Sequence, residues 1–287
     1  MNKISVQHLT HIYGANTPFV HTALQDVSFA VAPGELIGVI GHTGSGKSTL
    51  ISHLNGLLKP TEGQILLDDK DIWAKPKEIR SVRFRVGLVF QYPEYQLFED
   101  TVEKDIAYGP KNRGLSPDEI CLRAEEAMRF VGLPRELAQV SPFELSGGQK
   151  RRVAIAGVMA MRPEVLILDE PTAGLDPRGC RDLLHSIEEY RAETGCTVLL
   201  VSHNMDEIAR IADRVLVMRQ GTVAAFDTPK AVFSSPELIE NAGLRLPSVT
   251  KVMHGLRQAG LPLDASICTC EDAANAILAL ARERGAI

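Results

Sequence analysis

The run Leu36-Ile37-Gly38-Val39-Ile40 passes directly into Gly41-His42-Thr43-Gly44-Ser45-Gly46-Lys47-Ser48, and a helical pattern, Thr49 to Leu57, follows. Five residues that are apolar or glycine suit a strand buried on both faces, which needs helices above and below a parallel sheet. The next eight fit GxxxxGK[ST] in a strand–loop–helix context. Glycines let successive backbone N–H groups turn inward around an anion, and the helix N-terminus adds its positive end. The stretch Gly41 to Thr49 therefore predicts a phosphate cradle. Lys47 is expected to bridge the β- and γ-phosphates of a nucleotide, and the Ser48 hydroxyl to hold Mg²⁺. A plain glycine-rich turn would explain the glycines but not the placed lysine.

The remaining chain agrees with an α/β core. Short Val/Ile/Leu runs recur at Val86 to Phe90, Val165 to Leu168, Val198 to Val201 and Val215 to Met218. Helical patterns lie between several of them, at Cys180 to Thr194 and Asn204 to Ala212. Such alternation predicts a layered sheet with helices on its faces. Ahead of the core, Ile4 to Leu9 and Ala23 to Val31 alternate apolar and polar residues, as in a small antiparallel β-subdomain. Between Val102 and Met161 the pattern is helical only, opened by Ser116-Pro117-Asp118-Glu119. We read residues 93–160 as a helical insertion. Near Ser234-Ser235-Pro236 the α/β rhythm stops, so the expected division is a core of residues 1–235 and a small helical module of residues 236–287. Two helices are expected in that module, at Ser248 to Ala259 and Glu271 to Arg284.

Composition narrows the partners. A net charge of -5 gives no electrostatic reason to expect general nucleic-acid binding. The N-terminus lacks the apolar segment of a signal peptide, and no apolar run approaches the ~20 residues needed to cross a bilayer. The five cysteines show no CxxC spacing and the histidines no HxxxH pair, which points to reduced thiols and no zinc site. A role at a membrane would require docking onto something else.

A second acidic element follows. Val165-Leu166-Ile167-Leu168 ends in Asp169-Glu170. Neighbouring residues on a strand face opposite ways, so the two acids are expected to do different work. Asp169 is placed to hold Mg²⁺, and Glu170 to polarise the attacking water as general base. Further upstream, Leu145-Ser146-Gly147-Gly148-Gln149 precedes a helical run, Val153 to Met161. Ser146 is a good N-cap, and Gly147 and Gly148 leave N–H groups open at the positive helix end. About 15 helical residues rise roughly 22 Å, so this second anion-binding device sits far from the acids of its own chain. Two copies, head to tail, would close two ATP molecules between them.

With the phosphate loop and the acid pair around it, this LSGGQ sequence closely resembles the ATP-binding cassette family. The resemblance implies a P-loop, RecA-like ATPase fold and brings further residues. Tyr13 lies where the family keeps an aromatic that stacks on adenine, although an edge-strand tyrosine packing locally is the plainer alternative. Gln91 matches the Q-loop glutamine that meets Mg²⁺ and the attacking water. Asp176, in Ala173-Gly174-Leu175-Asp176, matches the D-loop at a dimer interface. His203 matches the switch histidine that contacts the γ-phosphate. Within the signature, Ser146, Gly147, Gly148 and Gln149 are the residues implied to contact the partner's ATP.

Two function classes remain: a transport ATPase on membrane partners, and a soluble cassette acting on nucleic acid or ribosomes. The single cassette, the acidic balance and the lack of heptads favour transport. The stretch Gln91-Tyr92-Pro93-Glu94-Tyr95-Gln96-Leu97-Phe98 gathers exposed-type aromatics beside acids, as a surface for a partner helix would. Together with the run up to Asn112, it closely resembles the ATPases of energy-coupling factor transporters, importers of vitamins and transition-metal ions. Asn55-Gly56-Leu57-Leu58-Lys59-Pro60, Ala154 to Val158, and the tail segments Leu246-Pro247 and Gly260-Leu261-Pro262-Leu263 fit the same family. Where such systems share a core and use two ATPase paralogues, the chain is similar to the second. The resemblance implies a heterodimer with the paralogue, joined through a C-terminal dimerisation module. It further implies a transmembrane scaffold, a substrate-binding membrane subunit, and a peripheral position on the cytoplasmic face of the cell membrane. It is looser after Pro236, where Cys268-Thr269-Cys270 is a minor departure.

Overall fold

The computed structural model describes residues 1–15 and 17–284. It opens with β1 (Ile4–Tyr13), β2 (His21–Val31), β3 (Leu36–Ile40), α1 (Lys47–Leu54), β4 (Glu62–Leu67) and the short β5 (Lys70–Asp71). Helix α2 (Ile79–Arg85) leads into β6 (Val86–Val89), and a helical stretch follows: α3 (Val102–Asn112), α4 (Pro117–Phe130) and α5 (Gly147–Met159). Alternation resumes with β7 (Val165–Asp169), α6 (Pro177–Thr194), β8 (Thr197–Val201), α7 (Met205–Ile211), β9 (Arg214–Arg219) and β10 (Thr222–Asp227). The described chain closes with α8 (Pro229–Phe233), α9 (Pro236–Asn241), α10 (Ser248–Gln258) and α11 (Cys270–Glu283).

The continuous apolar runs become the centre of a six-stranded sheet in the order β10-β9-β3-β8-β7-β6. All neighbours are parallel except β10, which is antiparallel to β9. β3, β6, β7 and β8 are buried along their whole length, as two-sided strands must be. Register aligns Val39 with Val201, Val201 with Asp169, and Leu168 with Val89. The C-terminal ends of β3, β8, β7 and β6 therefore stand side by side. This is where ligands bind in open α/β sheets.

The alternating segments form a second, antiparallel sheet, β2-β1-β4-β5. Ile4, Val6 and Leu9 of β1 face a core shared with Leu50, Ile51 and Leu54 of α1. The sequence reading did not anticipate β4, whose first three residues are exposed. Gly63 is required there: its φ of +81° is left-handed, and a Cβ would collide with the backbone of Gln7 and His8.

The helical stretch packs on the sheet through Ile106, Ala127, Met128, Val153 and Ile155, all in the large core. Its helices begin at Thr101, Ser116 and Ser146, each accepting a backbone N–H with its side-chain oxygen. At the C-terminal end, Ile239 and Ala242 still belong to the large core, joined by Leu244 and Leu246. Only beyond them does a separate small core form, from Met253, Leu263 and Ala273 with Val249, Leu256 and Leu280. The first turn of α10 lacks a cap of its own. Asp206 of α7 supplies one, accepting from the Ser248 N–H (2.7 Å) and hydroxyl (3.0 Å). Residues 285–287 of the expected module lie outside the described residues. Among the described residues, no helix is long and apolar enough to cross a membrane.

Candidate functional site

The loop after β3 turns on glycines in left-handed conformations, Gly44 at φ 82° and Gly46 at φ 102°. A Cβ at Gly44 would meet nothing within 4 Å, so the loop presents an open concave face. A Cβ at Gly46 would come within 2.8 Å of the Ala23 carbonyl, so the chain passes tightly against β2 there. Ser45 N–H donates to the His42 carbonyl at 3.1 Å, while the buried Ser45 hydroxyl has no partner. Lys47 is buried and donates to the carbonyls of Gly41 (2.6 Å) and His42 (3.0 Å). Burial pushes its ammonium pKa down, and the carboxylates of Glu170 and Asp169 oppose that shift.

Asp169 ends β7 and is buried. Burial pushes its pKa up to about 6, the charge of Glu170 adds to the effect, and Lys47 opposes it. At Glu170 the backbone turns left-handed (φ 50°), and its N–H donates to the Val201 carbonyl at 3.0 Å. That turn sends the Glu170 carboxylate to a cluster of strand ends. Oε1 lies 2.7 Å from His203 Nε2, and Oε2 accepts from Gln91 Nε2 at 3.3 Å. Gln91 follows β6 and His203 follows β8, so three neighbouring strands meet at one carboxylate. Two acids thus face a single ammonium that is already tied to backbone carbonyls. Such a donor set suits a hard divalent cation with oxygen ligands.

A cavity of about 330 Å³ opens between these groups. Its walls include Tyr13, Thr43, Gly44, Gly46, Lys47, Ser48, Thr49, Gln91, Asp169, Glu170 and His203. Residues separated by most of the core are therefore brought together. Gly41, His42 and Ser45 belong to the loop but do not line the cavity, and the His42 ring folds back on the Thr43 carbonyl (2.6 Å). Sequence reasoning missed His21 and Ala23, which also line it. Their contribution is placement on β2, and no residue-type signal marks it.

Ser146, Gly147, Gly148, Gln149 and Asp176 lie outside this cavity. Ser146 and Gln149 form a reciprocal cap at the start of α5: Ser146 N–H donates to Gln149 Oε1 (3.0 Å), and Gln149 N–H to Ser146 Oγ (3.4 Å). A Cβ at Gly147 would meet open space. Asp176 caps α6, accepting from the N–H groups of Arg178 (2.9 Å) and Gly179 (2.8 Å), which hold its pKa down.

Comparison with known proteins decides what this arrangement belongs to. The family described as "ABC transporter" matches residues 24–173. The "Energy-coupling factor transporter ATP-binding protein EcfA2" of Caldanaerobacter subterraneus subsp. tengcongensis is 52% identical over 275 residues, covering 96% of each chain. The chain belongs to the energy-coupling factor branch of the ABC transporter ATPases. Solved structures agree. The cbiO1 protein of Clostridium perfringens, described as part of the ABC transporter complex cbiONQ, superposes with a TM-score of 0.75 at 40% identity, covering 88% of this chain and 99% of that one. The cassette MJ0796, solved as a dimer bound to ADP and Pi, gives a TM-score of 0.71 at 27% identity, with coverage of 79% and 98%.

Within this ABC ATPase, Arg151 and Glu207 carry more of the site's framework than their sequence context suggested. Arg151 is buried, grips the Glu94 carboxylate with two nitrogens (3.2 and 3.0 Å), and donates to the carbonyls of Pro171 and Ala173. Glu207 accepts from Thr172 Oγ1 (3.0 Å) and Ser202 Oγ (3.3 Å), joining the strand ends beside Glu170 and His203. Of Lys150, Arg151 and Arg152, only Arg151 is buried.

The aromatic stretch of the ATPase follows Gln91 as a left-handed Tyr92 (φ 55°) and a single 3₁₀ turn, Pro93–Gln96. Tyr95 is 85% exposed and Phe98 57%. Phe98 meets Tyr108 of α3 edge-on, ring centroids 4.8 Å apart. A groove of about 630 Å³ runs beside them, floored by Leu97, Gly109, Val153 and Met161 and edged by Arg80 and Asp105.

Proposed function

We propose that the chain binds ATP with Mg²⁺ and hydrolyses it in a heterodimer with a paralogous ATPase, driving uptake of a vitamin or transition-metal ion. The observation that carries this reading is Glu170, whose two oxygens are engaged by His203 and Gln91 at the mouth of the phosphate-loop cavity. A carboxylate oriented from two sides, beside a lysine and an open glycine loop, suits a general base facing a γ-phosphate.

In this reading the backbone of Gly41 to Thr49 surrounds the phosphates, with Tyr13 stacked on adenine. Lys47 exchanges its carbonyl partners for phosphate oxygens. Ser48, Gln91 and Asp169 would hold Mg²⁺, which when bound neutralises charge on the β- and γ-phosphate oxygens. Glu170 accepts the proton of the attacking water as the new P–O bond forms and the bond to the leaving ADP oxygen breaks. His203 keeps the carboxylate aimed and contacts the γ-phosphate. Ser146, Gly147, Gly148, Gln149 and Asp176 serve the nucleotide held by the partner subunit. Ser146 and Gly147 are exposed at the start of α5, Asp176 is exposed at the cap of α6, and all five lie outside the chain's own cavity, which supports that role.

ATP would draw the two subunits together, and hydrolysis would release them. The Tyr92–Phe98 segment transmits that motion to a transmembrane scaffold, which reorients a substrate-binding membrane subunit. The chain itself lies on the cytoplasmic face of the membrane, and the module that includes α10 and α11 holds the ATPase pair together. Replacing Glu170 with Gln tests the chemistry. ATP binding is expected to persist while hydrolysis slows on the order of 10²-fold or more. Undiminished steady-state turnover in Glu170→Gln would remove Glu170 from the reaction.

A further inference from the structure

Beneath Tyr13 lies a buried pair of histidines that the hydrolytic chemistry does not use. His11 of β1 is 9% exposed and His53 of α1 fully buried. The edge of one imidazole meets the other at 4.5 Å between centroids and 71° between planes. His11 in turn meets the Tyr13 ring edge-on, at 4.4 Å and 83°.

The hydrogen bonds of this stack have a determined direction. His53 Nδ1 lies 2.7 Å from the Thr49 carbonyl, which can only accept, so Nδ1 carries the hydrogen. Burial pushes the His53 pKa down to about 4, so that ring is neutral at pH 7, and burial lowers the pKa of His11 as well. His53 Nε2 is then a bare acceptor, and His11 Nδ1, 3.1 Å away, donates to it. His11 Nε2 is left buried without a partner. On the far side of the Tyr13 ring, its hydroxyl reaches Thr49 Oγ1 at 3.5 Å. Thr49 directly follows Ser48 of the phosphate loop, so both ends of the stack return to the same turn of α1.

An aliphatic pair would fill this space without an orphaned nitrogen. It could not supply directional bonds that set the distance between β1 and α1. We propose that His11 and His53 are positioning residues for the nucleotide base, holding the Tyr13 ring at a set height and angle over the phosphate-loop helix. The proposal rests on the reading of Tyr13 as the ring that stacks on adenine. The base would thereby be seated in register with the phosphates, which the same turn of helix holds.

The test compares Mg·ADP with Mg·pyrophosphate on the full-length chain at neutral pH, since only ADP carries a base. Tyr13→Ala, His53→Leu and His53→Gln are titrated with both ligands. His53→Leu is expected to weaken ADP about five- to tenfold, the scale of one lost net hydrogen bond, with pyrophosphate affinity within about twofold. His53→Gln, which restores an acceptor near the Nε2 position, is expected to recover most of the ADP affinity. Unchanged ADP affinity in His53→Leu, or equal weakening of both ligands, overturns the proposal. Loss of ADP affinity in Tyr13→Ala alone also overturns it and leaves the stacking reading standing. Unchanged ADP affinity in Tyr13→Ala overturns the stacking reading itself.

Discussion

Asp169 and Glu170 are adjacent, yet the fold treats them as different chemical groups. Asp169 sits at a buried strand end beside a second carboxylate, with Lys47 as the cation opposing the rise in its pKa. Glu170 turns away through a left-handed residue and is held by two polar side chains. Such a site is a local cost to stability, because a buried charge lacks full compensation until ligand arrives. Asp169→Asn removes that charge at nearly constant shape. The variant is expected to unfold at higher temperature than the parent when both are metal-free, by roughly 1–3 kcal/mol in stability, and to lose ATP hydrolysis. Differential scanning calorimetry in EDTA checks this, and a lower midpoint for the variant would contradict it. These residues were legible in sequence because each is tied to a local pattern: glycines and lysine between strand and helix, acids at the end of an apolar run. Arg151 was not, because its role depends on Glu94 and on carbonyls about 20 residues downstream.

Elements that are apolar along their whole length were the easiest to read. β3, β7 and β8 lie within a residue of the runs that announced them, because a two-sided buried strand leaves no polar alternative. β4 and β10 were missed, since neither carries a fully buried run. Their existence is decided by the neighbours they pair with. What fastens the antiparallel sheet to the core is likewise non-local. Lys3 just before β1, Asp68 after β4, Arg85 of α2 and Glu164 before β7 form one ion cluster. Hydrogen bonds from Arg85 and then Lys3 hold the Glu164 pKa down to about 2 from an ordinary 4.5, against the opposing effect of burial. A carboxylate depressed in the folded state adds stability that is complete above its unfolded value and is lost as pH falls through its folded one. The cluster is partly exposed, so solvent reduces its contribution. The parent is therefore expected to lose stability between about pH 4.5 and 2 faster than Glu164→Gln. Urea unfolding across that range measures the difference, and parallel curves for the two proteins would contradict the assignment.

At the scale of the molecule, the C-terminal ends of four neighbouring strands meet at the phosphate-loop cavity while the helical stretch carries two surfaces turned outward. One is the start of α5, with Gly147 facing open space. The other is the groove lined by Leu97, Phe98 and Tyr108, with the exposed Tyr95 in the turn that precedes it. Arg151 joins them, because it lies on α5 and grips Glu94 inside the aromatic stretch. A movement of α5 towards a partner's nucleotide would thus be felt at the groove. The start of α5 was legible from the Ser146 cap and the glycines that follow it, whereas exposed aromatics at a surface look the same whether they dock a helix or pack locally. The direct measurement is substrate uptake per ATP hydrolysed in the reconstituted transporter, with the chain carrying Tyr95→Ala, Leu97→Ala and Phe98→Ala together. If the groove is where a membrane partner receives the stroke, uptake per ATP is expected to fall about tenfold or more, as interface anchors of this kind do when truncated. An unaltered ratio would contradict the account.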